Sequence, residues 1–229
     1  MELEDFYDGP LHLQTVFNGT GELSMGMLTK TSMFWRSIFK GVGAEHEACG
    51  DDAIYAYKHR IRRCLVTIQQ IGVPITSSLD EQAVYQLIVQ KATELTDAEC
   101  STLLLLDQDN GVLRLHGVHG LSGGLLPTFT IPLGVGLAGW AAQTGRPLFI
   151  ADAYQHPRWE CSFDRLIDFH TRALLIAPLL RATAGTVLGV LQVMNKIGRA
   201  AFDEDDIKFF MAYAAQASVV LMHQEVKNG

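Results

Sequence analysis

The stretch from residue 187 to residue 206, VLGVLQVMNKIGRAAFDEDD, passes from an apolar half to an acidic half. The apolar half has the composition of a buried strand. The acidic residues 203–206 favour the start of a helix, because negative charge is stabilised at the positive end of a helix dipole. Lys196 ends the expected strand and Asp206 begins the expected helix. We therefore expect a Lys–Asp pair to fasten strand to helix, with Phe202 packed underneath.

The segments before this joint have the pattern of strands connected in hairpins. Residues 100–106 are apolar, DQDNG at 107–111 is typical of a turn, and 112–116 alternate as a returning strand. Two further apolar segments, 172–180 and 186–194, predict a second pair of strands. Hairpins without regular βαβ units predict an antiparallel sheet with helices grouped on it, which is the α+β class.

Helical segments are expected before and after the sheet. An apolar seam repeats at intervals of three and four residues along the first of them, at Ile54, Tyr57, Ile61, Cys64, Ile68 and Ile71. The apolar face of the last helix comprises Ile207, Phe210, Met211, Ala214, Ala217, Ser218 and Leu221. Without a partner the first seam would be partly exposed, which soluble proteins avoid. We therefore expect a homodimer that pairs through these helices.

A glycine-rich segment lies in the middle of the chain. Gly134, Gly136 and Gly139 have the spacing of a dinucleotide-binding fingerprint. Pro132 interrupts the strand before them, however, and no βαβ unit surrounds them, so the pattern does not indicate a dinucleotide site. Residues 136–139 are expected to open a helix whose free N–H groups face an anion or a polar ligand edge.

Residues 152–171 form a polar, irregular segment between strands, rich in aromatic side chains, carboxylates and guanidinium groups. Such a connection over a sheet is a common place for a ligand site. The alternative is an ordinary surface connection with Trp159 and Phe163 as its small local core. Cys161 and His170 flank the expected helix in this segment, and a thiol–imidazole pair between them would favour an enzyme.

Composition and charge exclude several classes of protein. The chain has 229 residues, of which 48% are hydrophobic, so it can bury a core. No apolar run approaches the roughly 20 residues of a membrane helix, which argues against a membrane protein. The net charge of −7 argues against nucleic-acid binding, since that affinity comes largely from Lys and Arg on phosphates.

The cysteines and the N-terminal residues indicate a reducing compartment. Cysteines at positions 49, 64, 100 and 161 are too sparse and too widely spaced for a zinc site or a disulfide framework. The first residues, MELEDFYDGP, lack the apolar core of a secretory signal. We expect free thiols, no bound metal and a cytoplasmic location.

Residues 1–50 differ from the rest because glycines interrupt every pattern. Within them, 30–40 carries basic residues beside an apolar face formed by Phe34, Trp35, Ile38 and Phe39. This short amphipathic helix would either dock on a partner or membrane surface, or pack back on the main domain.

Four segments together resemble a GAF domain, most of all the regulatory GAF domains of cyclic-nucleotide phosphodiesterases and bacterial adenylate cyclases. They are CSTLLLLDQDNG at 100–111, IPLGVGLAGWAAQTGRPLFIADAYQHPRW at 131–159, DFHTRALLIAPL at 168–179, and 187–206. The last contains most of the family's motif, as Asn195, Lys196, Phe202 and Asp206, with Ile207 in place of its final acid.

The resemblance implies a division of the chain: an irregular N-terminal extension at 1–50, a linking and dimerisation helix at 51–78, and a GAF domain at 79–226. It also implies a six-stranded antiparallel sheet flanked by helices, and a pocket for a small molecule roofed by 152–171. The family's pocket positions, with Trp159 added from the same segment, correspond to Thr102, Leu137, Ala138, Trp159, Glu160, Asp164, Ile167, Thr171 and Gln192.

The expected pocket keeps some residue types of a cyclic-nucleotide site and departs from others. Asp164 and Thr171 are kept, whereas Glu160, Ile167 and Gln192 depart. A carboxylate at 160 beside a purine or a cyclic phosphate is unfavourable unless it turns outward, because an unpaired charge loses its hydration. The ligand is therefore cAMP, cGMP or an unidentified small molecule; alternatively the pocket is degenerate and the chain is a dimerisation scaffold.

The resemblance further implies a role in signal transduction without catalysis. A ligand would shift the lid, the last strand and the last helix, and the dimer helices would pass this to a downstream effector. Enzymatic members of the family serve as the contrast. Covalent bilin attachment uses an adjacent Cys-His pair, but Ser162 follows Cys161, and the strand 173–176 lacks the cysteines of the family's methionine sulfoxide reductases.

Overall fold

The computed structural model describes residues 51–72, 80–121, 129–181 and 186–228. The expected N-terminal extension at 1–50, with its amphipathic segment at 30–40, lies outside the described residues, as does the end of the expected linking helix at 73–78.

The described strands form one antiparallel sheet. They are β1 (Ala98–Asp107), β2 (Val112–His119), β3 (Thr130–Pro132), β4 (Leu148–Ile150), β5 (Leu174–Leu180) and β6 (Val187–Lys196). They lie in the order β3-β2-β1-β6-β5-β4, and every neighbouring pair is antiparallel. The prediction of a six-stranded antiparallel sheet in an α+β fold is confirmed. The first and last long strands meet at its centre, where β1 pairs with β6.

The helices of the described residues surround this sheet. They are α1 (Asp51–Gly72), α2 (Glu81–Thr96), α3 (Gly136–Thr144), α4 (Ser162–Ile167) and α5 (Glu204–Asn228). α2 begins after Asp80, whose carboxylate accepts a hydrogen bond from the Ala83 N–H at 2.7 Å, an ordinary N-cap. α5 begins with an acidic first turn, as the sequence predicts.

Alternate residues of the strands feed two separate cores. Leu103 of β1 lies in the core shared with α1, α2 and α5, whereas Leu104 lies in the core on the other face, under α3. Tyr213 is fully buried in the first core, and its hydroxyl donates to the carbonyl of Ile88 at 2.9 Å, which joins α5 to α2. One face of the sheet is thus closed by long helices.

The apolar seam of α1 is partly covered within a single chain. Cys64 is 5% exposed and Ile71 is 0% exposed, both in the core with α2 and α5, and Ile68 packs against it. Tyr57, Ile61 and Ile68 keep part of their surface exposed. The contacts with α2 and α5 therefore cover only some of the seam, in keeping with the expectation that it is partly exposed without a partner. No second copy is described, and the homodimer stays a prediction.

The other face of the sheet is covered by α3 and by residues 152–171, here called the lid. α3 approaches the sheet closely at Gly139, where an added Cβ would lie 2.4 Å from the carbonyl oxygen of Pro132. Only glycine fits there. This close approach holds the first turn of α3 against the end of β3. A space remains between the sheet and the lid.

Candidate functional site

A cavity of about 320 Å³ lies between the sheet, the first turn of α3 and the lid. Most of the residues expected in the pocket line this lidded cavity, namely Thr102, Leu137, Ala138, Trp159, Glu160, Asp164, Thr171 and Gln192. The side chain of Ile167, the remaining expected residue, lies outside the described part of α4. Four separate regions of the chain therefore meet in one place.

The lining also includes residues that the sequence analysis missed. They are Leu104, Leu115, Phe129, Thr130, Ile131, Pro132, Val135, Gly136, Ser162, Leu174 and Met194. Leu104 and Met194 could have been predicted, because each lies two residues beyond an expected floor residue and strand side chains repeat with a period of two. The residues around β3 could not have been predicted, since their position depends on the pairing of β3 with β2.

Neutral polar groups form the centre of the floor. Thr102 and Gln192 are cross-strand partners in β1 and β6, and the Gln192 amide donates to the Thr102 hydroxyl at 3.1 Å. A carboxamide and a hydroxyl can each both donate and accept hydrogen bonds. The floor can therefore bind the edge of a polar, uncharged ring or a sugar hydroxyl.

A buried carboxylate fastens the lid from inside. Asp164 is 2% exposed and accepts from the Thr171 N–H at 2.8 Å and the Thr171 hydroxyl at 2.7 Å. The Tyr154 hydroxyl donates to the same carboxylate at 3.1 Å, and desolvation together with this carboxylate raises the pKa of Tyr154. Protein donors thus occupy much of the accepting capacity of Asp164, which acts here as a latch across the lid.

Residues of the first turn of α3, from Gly136 to Ala138, line the cavity. The N-cap residue of this helix, Val135, provides no side-chain hydrogen bond, and the Gly139 N–H is the donor that reaches the Val135 carbonyl at 3.1 Å. The N–H groups of Leu137 and Ala138 precede any intrahelical acceptor. Together with the helix dipole they form a site of partial positive charge, which suits an anionic or polar ligand group.

Charged side chains in the described lining of the cavity are all acidic. Glu160 and Asp164 contribute carboxylates, and no Lys, Arg or His is among these lining residues. An anion in this cavity would therefore depend on the backbone N–H groups of α3 for its counter-charge.

A second, larger concavity of about 860 Å³ lies where α1, α2, β6 and α5 meet. We call it the joint groove. Lys196 donates to Asp206 at 2.9 Å and to the carbonyl of Thr96 at 2.8 Å, so the Lys–Asp pair expected between strand and helix has hydrogen-bonding geometry. Phe202 packs against the neighbouring core.

Arg60 is the residue of the joint that sequence reasoning missed. Its guanidinium donates to Asp203 at 2.9 Å and to Asp206 at 2.8 Å, which ties α1 to the start of α5. The sequence places it in a basic stripe typical of a solvated face, and no local signal distinguishes it from its neighbours. Burial alone would raise the pKa of Asp203, but the hydrogen bond from Arg60 holds that pKa well below its usual range.

The motif residue Asn195 connects the joint to the lid. It adopts a left-handed backbone with φ of 59°. Its side chain accepts from the Arg172 N–H at 2.6 Å and donates to the His170 carbonyl at 2.9 Å, both at the end of the lid. The chain therefore has a continuous set of hydrogen bonds from the lid through the end of β6 to α5.

The described cysteines offer little support for thiol chemistry. Burial raises the pKa of Cys64 to about 11, and burial with nearby carboxylates raises that of Cys100 to about 12, so neither is a ready thiolate. Cys161 makes no hydrogen bond to His170, whose ring stacks on Tyr154 at 4.6 Å between centroids. Within the described ranges no cluster of His, Cys, Asp or Glu is arranged to hold a metal ion.

None of the helices described is both long enough and apolar enough to cross a bilayer.

Comparison with known families and sequences agrees with this geometry. The sequence model of the GAF domain matches residues 80–221, which is more than half of the chain. The dual 3',5'-cyclic-AMP and -GMP phosphodiesterase 11 of Drosophila melanogaster is 39% identical over 93 residues, or 41% of this chain and 6% of that protein. The cGMP-specific 3',5'-cyclic phosphodiesterase of Drosophila pseudoobscura pseudoobscura is 33% identical over 97 residues, or 42% of this chain and 9% of that protein. The matched stretch therefore spans less than a tenth of either relative.

Solved structures match the fold. The GAF domain of a phosphoenolpyruvate-protein phosphotransferase from Coxiella burnetii aligns with a TM-score of 0.63 at 21% identity, covering 73% of this chain and 97% of that one. A free methionine-R-sulfoxide reductase from Neisseria meningitidis aligns with a TM-score of 0.59 at 21% identity, covering 80% and 97%. At these identities the likeness concerns the fold alone.

Proposed function

The chain belongs to the GAF domain family, and from that premise we propose that it is a non-catalytic regulatory module which binds a small molecule in the lidded cavity. The observation that carries the proposal is the open cavity itself. Its volume of about 320 Å³ lies at the lower end of the range typical of ligand pockets. A degenerate pocket, the mark of a pure dimerisation scaffold, would instead be filled by lid side chains such as Trp159, which here forms part of the wall.

The proposed ligand is a cyclic nucleotide, cAMP or cGMP. The N–H groups of Leu137 and Ala138 supply donors for a cyclic phosphate. The Gln192 amide and the Thr102 hydroxyl supply neutral partners for a base edge. Similarity to two phosphodiesterases whose names specify cyclic nucleotides supports the same choice.

The proposed signal runs from the lid to the long helices. A ligand that closes the lid would act on Asn195 at its end, and through β6 on Lys196. Lys196 and Arg60 share the carboxylate of Asp206, so a shift of β6 changes how α5 and α1 are held. The output depends on the ligand binding the two arrangements with different affinity.

The proposed module acts as a homodimer toward a downstream effector, in the cytoplasm. The support for pairing is an outer surface rather than the seam of α1. Tyr55, Leu65 and Val66 are exposed on α1, and Val219 and Val226 are exposed on α5. Exposed apolar groups on neighbouring helices favour contact with another chain. The cytoplasmic location rests on the sparse, widely spaced cysteines of the sequence.

Native mass spectrometry of the purified chain tests copy number and retained ligand in one measurement. We expect a dimer, with the mass of a cyclic nucleotide retained or acquired on adding cAMP or cGMP. Leu65→Glu should convert the dimer to a monomer without loss of ligand binding, and Gln192→Leu should weaken binding without loss of the dimer. A wild-type monomer would overturn the dimer proposal, and titration calorimetry without heat for either nucleotide would overturn the ligand proposal.

A further inference from the structure

We infer that Glu160 sets the charge selectivity of the lidded cavity, admitting a ligand with one negative charge and rejecting one with two. The inference rests on the proposed function, because it concerns the ligand of the same cavity. The ligands it separates are 3′,5′-cyclic nucleotides, whose phosphodiester carries one charge, and 5′-nucleoside monophosphates, whose phosphate carries close to two above its second pKa of about 6.

Glu160 lies beside the first turn of α3. A Cβ built on Gly136 would lie 3.7 Å from the Cβ of Glu160, so the base of this side chain is close to the first residue of α3. Gly136 also has a φ of 63°, a left-handed conformation that glycine adopts without strain. Glu160 therefore lines the cavity together with the helix end whose N–H groups are proposed to receive the phosphate.

The carboxylate of Glu160 bonds to its own segment of the lid. It accepts a hydrogen bond from the Ser162 N–H at 3.1 Å, and both residues line the cavity. Glu160 is an exposed residue, so its charge stands at the solvent-facing rim of the cavity. Asp164 differs, because it is buried and its carboxylate accepts several hydrogen bonds from the lid itself.

Negative charge outweighs positive charge among the side chains that line the cavity. The described lining contains Glu160 and Asp164 and no cationic side chain, so the end of α3 is the source of positive charge. A helix end is equivalent to about half an elementary charge. This partial charge can partly offset the single charge of a cyclic phosphate. The second charge of a 5′-monophosphate would be repelled by Glu160, and no cationic side chain of the described lining would balance it. Repulsion at this rim increases with each added ligand charge.

A merely structural role for Glu160 makes a different prediction. If its carboxylate only closes the local turn with Ser162, replacing it would affect lid stability and all ligands alike. Charge selectivity is instead measured as a ratio of two affinities in the same protein, from which a uniform loss of binding cancels.

The test is calorimetric titration of the full chain with cGMP, 5′-GMP, cAMP and 5′-AMP at pH 8, in wild type, Glu160→Gln and Glu160→Lys. Glu204→Gln is the matched control, since it removes one negative charge from an exposed site at the start of α5. We expect wild type to prefer the cyclic form, and Glu160→Gln to reduce that preference by roughly twofold to fivefold, the range of an exposed charge. Glu160→Lys should reduce it further, and Glu204→Gln should leave it unchanged. Raising the salt concentration should shrink the difference between variants.

The outcomes separate the two proposals. If wild type binds cyclic nucleotides but the ratio is the same in Glu160→Gln and Glu160→Lys, the role of Glu160 is wrong and the proposed function stands. Equal binding of both forms by wild type also overturns the role of Glu160. If no protein binds any of the four nucleotides, the cyclic-nucleotide function fails and the selectivity inference fails with it. Thermal unfolding of each variant checks that it is folded before titration.

Discussion

The joint groove and the lidded cavity differ more in their chemistry than in their size. The joint groove, at about 860 Å³, is larger than the lidded cavity, at about 320 Å³. The charged groups of the joint are already paired with one another, Lys196 and Arg60 with Asp203 and Asp206. In the lidded cavity the Gln192 amide and the Thr102 hydroxyl bond to each other and keep further donor and acceptor capacity, and the first N–H groups of α3 have no intrahelical acceptor. This remaining hydrogen-bonding capacity, more than volume, favours the lidded cavity as the ligand site.

The same comparison distinguishes polar groups that stabilise the fold from polar groups that can bind a ligand. A charge that is buried and paired costs much stability when its partner is removed, because the remaining charge is left without compensation. A polar group at the rim of a cavity keeps access to water, so its loss changes binding more than folding. The following experiments use this contrast, in order of decreasing effect on stability.

The largest loss should follow Asp206→Ala. Asp206 is 2% exposed and accepts from both Lys196 and Arg60. Its removal therefore takes from the buried ammonium of Lys196 its close ion pair and leaves the Thr96 carbonyl and the longer 3.5 Å contact with Asp97. We expect about 3–5 kcal/mol less stability in urea unfolding. Lys196→Met should cost clearly less, because it removes the buried cation and leaves Asp206 paired with Arg60.

Arg199→Gln is the control for this loss. Arg199 pairs with Asp203 at 2.7 Å but its side chain is 61% exposed, so we expect a change of about 0–1 kcal/mol. Equal losses for Asp206→Ala and Arg199→Gln would show that the joint is no more structural than an ordinary surface pair.

Asp164→Asn should have the next largest effect, confined to the lid. The amide keeps the shape but turns an NH₂ group toward donors from Thr171 or Tyr154. We expect a loss of roughly 1–3 kcal/mol, the usual cost of an unmatched buried polar group. Limited proteolysis followed by mass spectrometry should find faster cleavage within 152–171. Unchanged cleavage would contradict the latch.

Arg60→Met should weaken the attachment of α1 and leave the sheet intact. Arg60 is a quarter exposed, so the loss of its ion pairs should cost about 1 kcal/mol. Hydrogen exchange should increase in α1 while the amides of β1 and β6 keep their protection. Faster exchange throughout the sheet would mean that Arg60 supports the whole domain.

Mild acid should have the smallest effect. The pKa of Asp203 is lowered in the folded state, so it contributes stability above its unfolded pKa of about 3.9, and that stability is lost as pH falls toward the folded pKa. Linkage gives a loss of roughly 0.3 kcal/mol from this group by pH 4. Urea unfolding at pH 6 and pH 4 should show a smaller difference in Arg60→Met than in wild type. An equal difference would assign the acid sensitivity to other carboxylates.

Sequence reasoning succeeded where the signal is local. Hairpin turns, strand alternation and the acidic start of α5 all act over a few residues, which is why the α+β sheet was predicted correctly. Leu104 and Met194 could have been added to the cavity by the same period of two.

Sequence reasoning failed where a contact joins two segments that are far apart in the sequence. A seam at Cys64 and Ile71 shows that a helix buries one face, and it cannot say whether another chain or α2 and α5 cover it. Arg60 and Asp203 are 143 residues apart, and nothing near Arg60 in sequence indicates its partner. Glu160 was recognised as unusual, but its contact with Gly136 depends on how the lid folds over α3.

The sequence by itself determined the class of fold, the strand–helix joint with its Lys196 and Asp206, and the segments from which the cavity is built. These follow from propensity, periodicity and charge at helix ends, which are properties of neighbouring residues. Only the tertiary structure decided which helices cover the seam, which basic residue holds α1, and which carboxylate stands at the mouth of the cavity. Those choices are made by packing between distant segments, where apolar area and paired charge can be satisfied in more than one way until the whole chain is in place.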